Sequence, residues 1–398
     1  MMWQRNGTLL LPINIKFPEV QVLGFCRLLS LWWCMALPLP LHIQCDVPLA
    51  PLTTLAVGGR ARYLWRAADE DSLRAALTWG REQGLPVWVL GGGSNTLVAD
   101  AGWPGLVVQY TTNDWWYIRD GDEVHVTASA GLIWDDLVAQ TCAMGRAGIE
   151  CLSGIPGWVG AVPVQNVGAY SQEVSDTLVD VRVMDRASLA TTTLAATTLG
   201  LGYRDSLFKT TWRDRYVITA VRLRLHVGDA AAPRHPEIIA QDRTPAAVRD
   251  AVLAVRRRKS MVYDVTDPNH RSAGSFFTNP IVPAPLAVTI CASLGNKMPE
   301  YPTRAGGKKL SAAWLIERAG FPAGTVFEDG SAGLSSRHYL ALINRGHARA
   351  EDLIRFAQHI QACVHAAFGV TLVPEPSFMG FDEHPVAAGT CTERLRQM

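Results

Sequence analysis

The chain has 398 residues, enough for two or three domains that each bury a core. Hydrophobic residues make up 48% and charged residues 18%, which excludes a disordered chain. The net charge of +1 offers no global attraction to nucleic acid or to an acidic membrane surface and leaves only local anion sites. Eight cysteines with no CxxC pair point to a reduced, cytoplasmic protein, and ten histidines with no HExxH-type grouping leave no metal to assign.

Residues 1–45 read as an N-terminal extension. The stretch FCRLLSLWWCMALPLP places one arginine before an apolar run, as a signal peptide does. Pro38 and Pro40 break that run, no small-residue cleavage site follows, and it is too short to span a bilayer. Met35 then reads as the natural initiator, with residues 1–34 upstream of the true start; a membrane-surface anchor is the alternative.

From Asp46 onward the pattern is α+β. Asp69 is placed to cap a helix whose Leu73, Ala76 and Leu77 share one face and which Gly84 ends. Residues 87–90 then form a buried strand. LVVQY, WWYIRD and EVHVTASAG are strand-like, DDLVAQTCAMG is helical, and LVDVRVMDR and RYVITAVRLRLHV are strands. The best domain boundary lies near residues 228–244. Beyond it, Thr244 and Pro245 open a helix through AAVRDAVLAVRRRKS. KLSAAWLIERAG is a second helix and AEDLIRFAQHIQACVHAAFG a third, with Leu353, Ala357, Ile360, Val364 and Phe368 in one stripe and Gly369 as the stop. YLALINRG and VTLV are short strands, and residues 381–398 read as a mobile tail.

Four stretches carry chemistry. VLGGGSNTLVAD runs a strand into three glycines, then Ser94 and Asn95; backbone N–H groups there can approach an anion, although a plain turn has the same composition. It lacks the helix of a dinucleotide GxGxxG and the GK[ST] of a P-loop. The passage LSGIPGWVGAVPVQNVGAYSQEV is long and irregular, as ligand-wrapping loops are, with Gln165, Asn166 and Tyr170 as polar groups. GYRDSLFK offers Arg204 for a carboxylate or phosphate, or for a surface turn with Asp205. VPEPSF holds Glu375 between two prolines, and AGSFFTNP places Ser275 in a tight loop where a capping or turn role is equally available.

Taken in order, LGGGSN, IPGWVGAVPVQNVGAY, GYRDSLFK, AGSFFTNP, KLSAAWLIERAG and the final PE resemble the UDP-N-acetylenolpyruvoylglucosamine reductase family, in its actinobacterial-like branch, over about residues 51–380. The resemblance implies a two-lobed FAD-binding domain of the vanillyl-alcohol-oxidase type at 46–228, its lobes about 46–110 and 111–228, followed by an α+β substrate-binding domain at 240–380. It implies non-covalent FAD, NADPH as electron donor and UDP-N-acetylglucosamine enolpyruvate as substrate. Gly92, Gly93, Ser94 and Asn95 would hold the FAD diphosphate, with Ile155, Pro156, Gly157, Asn166 and Gly168 nearer its adenine, ribose or ring. Arg204, Ser275 and Glu375 would be catalytic, Ser275 as proton donor to the substrate. Lys259 and Asn279 would hold the diphosphate and sugar of the substrate, although Lys259 equally fits a solvated helix end.

Two features depart from the family pattern. The stretch PRHPEIIAQ has no tyrosine where one branch carries a tyrosine-bearing loop, and Pro376 follows Glu375 in place of valine or isoleucine. An FAD-linked alcohol oxidase of the same superfamily is an alternative, but residues 53–105 lack the histidine that often tethers FAD in such oxidases. A non-catalytic flavin or UDP-sugar sensor is another, set against the presence of all three catalytic residues.

Overall fold

The computed structural model describes residues 43–232, 235–293, 299–301 and 307–386. The extension up to residue 42, including Met35, and residues 387–398 of the expected tail lie outside the described residues, as do Pro233 and Arg234 of PRHPEIIAQ. Residues 381–386 of that tail are instead packed on the C-terminal part, with Val386 fully buried in its core.

The first lobe is a four-stranded sheet in the order Ile43–Pro48, Arg60–Ala67, Trp103–Tyr110, Val87–Val89, with the last two pairings parallel. Helix Glu70–Glu82 makes the crossover. Asp69 caps it by accepting from the Ser72 N–H at 2.7 Å, and Leu73, Ala76 and Leu77 are buried on one face. Gly84 leaves it at φ +63°, as the glycine stop predicts.

The second lobe is antiparallel throughout. Its order is Thr191–Ala195, Leu178–Asp185, Tyr216–Val227, Glu123–Ser129, Trp115–Asp120, with Arg146–Ala147 added at the end of the long strand. Alternation in Tyr216–Val227 sends Val217, Val221, Leu223 and Leu225 inward and Arg222 and Arg224 outward. Helix Trp134–Ala143 packs beneath this lobe, and helix Pro245–Arg258, capped by Thr244, packs on it. Val248, Val252 and Val255 share a core with Ala147, Cys151 and Ala230, so residues 245–258 are bound to the second lobe although they follow the boundary read from sequence.

The C-terminal part gathers helices Ala312–Arg318 and Ala350–Phe368 against short sheets, including Val326–Phe327, Ala332–Leu334 and Leu342–Asn344. VTLV, expected as a strand, forms no ladder: residues 370–373 are outside any strand, and next to them lies a single bridge between Pro374 and Phe277. Pattern alone could not see that its partner is too short to build a ladder. Helix Ala284–Ser293, absent from the sequence reading, has no polar face to give it a period.

The C-terminal core does not stop at the C-terminal part. Leu55, Val57 and Leu97 lie in the same apolar cluster as Phe276, Leu315, Phe356 and Phe378. Strand Ser377–Met379 pairs in parallel with Thr96–Val98. Asp100 accepts from the Ala350 and Glu351 N–H groups at 2.9 and 3.1 Å, capping the last helix across 250 residues of sequence. Asn344, 3% exposed, donates to the Leu55 and Ala56 carbonyls and accepts from the Gly346 and Ala348 N–H groups.

Asn344→Ala removes a buried side chain that satisfies four backbone groups, the Leu55 carbonyl buried with it. It should cost about 2 kcal/mol, from the penalty for leaving such groups unpaired. The expected result is a lower thermal midpoint with the far-ultraviolet circular dichroism of the cold protein unchanged; an unshifted midpoint would mean that water replaces the amide at no cost.

Candidate active site

Where the two lobes and the C-terminal part meet, they enclose a cavity of about 830 Å³. Its walls include Gly92, Gly93, Ser94, Asn95, Ile155, Pro156, Gly157, Gly168, Arg204, Ser275 and Glu375, eleven of the fourteen residues singled out from sequence.

The two glycine-rich loops touch back to back. A Cβ on Gly92 would stand 3.0 Å from Gly157 Cα, and one on Gly157 would stand 2.7 Å from Ser94 Oγ. Gly93 is tighter still: φ is +65° and a Cβ would meet the Leu52 carbonyl at 1.9 Å. Only glycine fits there. Ser94 Oγ donates to the Pro156 carbonyl at 3.0 Å, and Thr54 N–H donates to the Gly93 carbonyl at 3.2 Å, so the loop is pinned on both flanks. Asn95 Nδ2 donates to Gln165 Oε1 at 2.7 Å and to the Glu375 carbonyl at 3.2 Å, while Asn95 Oδ1 is buried with no hydrogen-bond partner.

Arg204 sits at the tip of a tight turn. Gly202 and Asp205 exchange backbone hydrogen bonds at 3.0 and 3.3 Å, and between them Arg204 takes φ +54°. That turn position normally falls to glycine or asparagine, and an arginine there costs about 1–2 kcal/mol. The guanidinium is tied down in return. It donates to the Gly168 carbonyl at 2.6 Å, lies 3.2 Å from Glu375 Oε1 through Nε, and stands 5.3 Å from the Tyr203 ring centroid.

Glu375 is fixed through its backbone by Pro374 and Pro376 and by its N–H, which donates to the Phe276 carbonyl at 2.8 Å. The partner segment carries Ser275 immediately before Phe276, so the serine and the glutamate enter the cavity from neighbouring, paired chains. Burial holds the Glu375 carboxyl above the ordinary carboxylate value; Arg204, Lys209 and a 3.2 Å hydrogen bond from Gln165 Nε2 pull it back.

Three expected site residues are engaged elsewhere. Asn166, 1% exposed, donates to Glu173 Oε2 and the Gly202 carbonyl, both at 3.0 Å, and accepts from Ser175 N–H at 2.9 Å, which locks the Arg204 turn against the long loop. Lys259 pairs with Glu237 at 2.7 Å. Asn279 Oδ1 accepts from the Ala312 N–H at 2.9 Å, and its own N–H donates to the Tyr203 hydroxyl at 3.3 Å. Two further residues enter the site. Gln165, a polar group of the long loop offered by the sequence for a ligand's ring edge, bridges Asn95 and Glu375. Lys209 closes the GYRDSLFK motif five residues after Arg204, a spacing that brings its amine back onto the turn.

Family models match the chain in two places: an FAD binding domain at residues 61–192, and the C-terminal domain of UDP-N-acetylenolpyruvoylglucosamine reductase at residues 267–379. The chain is 46% identical over 350 residues to the UDP-N-acetylenolpyruvoylglucosamine reductase of Thermobifida fusca, covering 84% of this chain and 97% of that protein. It is 44% identical over 352 residues to UDP-N-acetylenolpyruvoylglucosamine reductase 2 of Corynebacterium glutamicum, covering 85% and 95%. Among solved structures, the UDP-N-acetylenolpyruvylglucosamine reductase of Thermus caldophilus aligns with a TM-score of 0.57 at 26% identity, over 85% of this chain and 98% of that one.

Two results should follow from this geometry. Gly93→Ala should yield a folded protein that purifies without the yellow absorbance of bound flavin; retention of stoichiometric flavin would mean that the loop can move away from Leu52. The second concerns Glu375. Its native pKa is raised, so the folded state binds the proton more tightly, and stability falls as pH rises from the ordinary carboxylate value through the native one. Glu375→Gln removes that slope. The unfolding free energy of the variant relative to the parent should therefore rise across that window and then level off. Parallel curves would show that burial does not control the carboxyl.

Proposed function

The chain belongs to the UDP-N-acetylenolpyruvoylglucosamine reductase family, and we propose that it reduces the enolpyruvyl ether of UDP-N-acetylglucosamine to UDP-N-acetylmuramate, with NADPH as donor, in the cytoplasmic synthesis of peptidoglycan precursors. It is an FAD-dependent oxidoreductase. The observation that carries the reading is the Arg204–Glu375 pair at 3.2 Å in a glycine-walled cavity, with Ser275 on the segment hydrogen-bonded to Glu375. No helix among the described residues is long and apolar enough to cross a membrane.

The residues present fit FAD. Two glycine-rich loops, packed so closely that a Cβ at Gly92, Gly93 or Gly157 would collide with protein, present bare backbone to the cavity, and the orphaned Asn95 Oδ1 is an acceptor open to a hydroxyl or ring N–H of the cofactor. Gly92, Gly93, Ser94 and Asn95 would hold the diphosphate, with Ile155, Pro156, Gly157 and Gly168 along the rest of the cofactor. When bound, FAD supplies a two-electron carrier that takes hydride from NADPH and delivers it to the terminal carbon of the enolpyruvyl group.

The chain's own residues handle the charge and the proton. Hydride addition leaves an electron pair on the ether-bearing carbon, delocalised into the substrate carboxylate. Arg204 offers that carboxylate a guanidinium held in place by the Gly168 carbonyl and Glu375. A protonated Glu375 donates a hydrogen bond to it, where an ionised one would repel it; burial favours the protonated form. Ser275 Oγ gives its proton to the ether-bearing carbon and completes the saturated product; the serine proton is then replaced from solvent. A hydroxyl is a weak acid, but the acceptor is a strong base, and the turn at Gly274 (φ +73°) fixes the approach. Lys259 and Asn279 serve the UDP-sugar in this reading. Lys259 precedes Ser260 and Met261, which line the cavity, and exchanges Glu237 for the substrate diphosphate.

A single-turnover experiment tests the assignment. Flavin is reduced anaerobically with NADPH, and UDP-N-acetylglucosamine enolpyruvate is then mixed in. The parent should reoxidise rapidly. Ser275→Ala should lose about 10²–10⁴-fold in reoxidation, the range for a general acid, while flavin content and reduction by NADPH stay unchanged. Reoxidation by oxygen alone would point to the oxidase, and an undiminished Ser275→Ala would remove the serine from the mechanism.

A further inference from the structure

We propose that Lys209 is a positioning residue for the reaction: its ammonium clamps the backbone of Arg204 in the left-handed conformation that aims the guanidinium at Glu375. This rests on the reading of Arg204 given above. The Lys209 amine Nζ donates to the Arg204 carbonyl at 2.8 Å. It reaches back over the intervening residues because the chain coils immediately after the turn. Leu207–Lys209 is a single turn of 3-10 helix, capped by Ser206, whose hydroxyl accepts from the Phe208 N–H at 3.2 Å and donates to the Val164 carbonyl at 2.5 Å. The lysine stem is therefore fixed at its base by the long loop and at its tip by the turn.

The clamp answers a specific problem. At φ +54° Arg204 occupies a conformation that an arginine leaves readily, and the Arg204–Asp205 peptide is held within the turn only by the 3.3 Å bond from the Asp205 N–H to the Gly202 carbonyl. Rotation of that peptide would swing the Arg204 carbonyl away from Lys209, change ψ of Arg204 and withdraw the guanidinium from Glu375. The guanidinium contacts to Gly168 and Glu375 hold the side chain; among the described residues Lys209 is what holds the Arg204 carbonyl. Lys209 also lines the cavity. Burial pulls its ammonium below the usual lysine value while Glu375 pulls it back up, so the two groups feel one another. The charged and titratable groups facing Glu375 are then Arg204 and Lys209, with Tyr203 and the Gln165 amide beside them.

The test is steady-state kinetics of the flavin-loaded holoenzyme as a function of pH for Lys209→Met, Lys209→Arg and, in parallel, Arg204→Met. Lys209→Met should lower kcat about 10–100-fold with KM for the UDP-sugar within about threefold, the signature of an interaction made in the transition state. The limb of the pH profile set by Glu375 should move to higher pH, because a cation that favours its ionised form is gone. Lys209→Arg should recover most of kcat. The double variant should be little worse than Arg204→Met alone, since Lys209 acts through Arg204. Equal losses in kcat for Met and Arg, an unmoved limb, or additive losses in the double variant would reduce Lys209 to a structural residue. A harmless Arg204→Met would instead overturn the underlying reading of Arg204, and the two failures are distinct. Flavin content and thermal midpoint, measured on every variant, separate these effects from loss of fold.

Discussion

The site depends on one backbone segment, residues 374–379. On one side its Glu375 N–H bonds to the Phe276 carbonyl, next to Ser275; on the other its strand Ser377–Met379 lies parallel to Thr96–Val98, directly after the GGGSN loop. The Ser377 N–H donates to the Asn95 carbonyl at 2.9 Å. One short run of chain therefore fixes the distance between the cofactor loop and the proton donor. Two prolines stiffen it and remove the donors that would otherwise need partners in a crowded place. Phe276, Phe378 and Leu97 pack in one cluster around it, so its position is held by apolar burial as well as by hydrogen bonds.

Around that segment the protein concentrates its costly features. An arginine occupies a left-handed turn position, a carboxyl is buried, and an amide oxygen is left without a partner. Each is unfavourable alone and tolerable because the surroundings are over-determined. The guanidinium offsets the buried carboxyl, and Gln165 links that carboxyl to Asn95, so charge on the substrate side and the cofactor loop are joined by three side chains. Binding an anionic substrate would redistribute this network instead of creating one.

Much of the fold was legible because its signals are local. Asp69, Gly84, Thr244 and Gly369 cap or stop helices by chemistry confined to a few residues, and the alternation of Tyr216–Val227 reads directly as a two-faced strand. What stayed hidden was set by distant partners. Residues 370–373 are apolar enough for a strand, yet the segment beside them accepts only one bridge. The attachment of helix Pro245–Arg258 to the second lobe depends on Ala147 and Cys151, about a hundred residues earlier. In the site, the glycine loops and Arg204, Ser275 and Glu375 were visible as a set of motifs in order. Asn166 was not: its polarity suggested a ligand, but polarity does not reveal that Glu173, Gly202 and Ser175 use every group it has.

The pairing of Thr96–Val98 with Ser377–Met379 also fixes a timetable. A ribosome releases the first strand long before its neighbour exists, and Asp100 waits as long for the helix end at Ala350. Through most of synthesis the nascent chain has the glycine loop but lacks the wall that closes it, with Leu97 still exposed. Contacts of such long range form late and slowly. The cavity is thus a vessel begun by one of the first strands to emerge and completed by the last of the described ones.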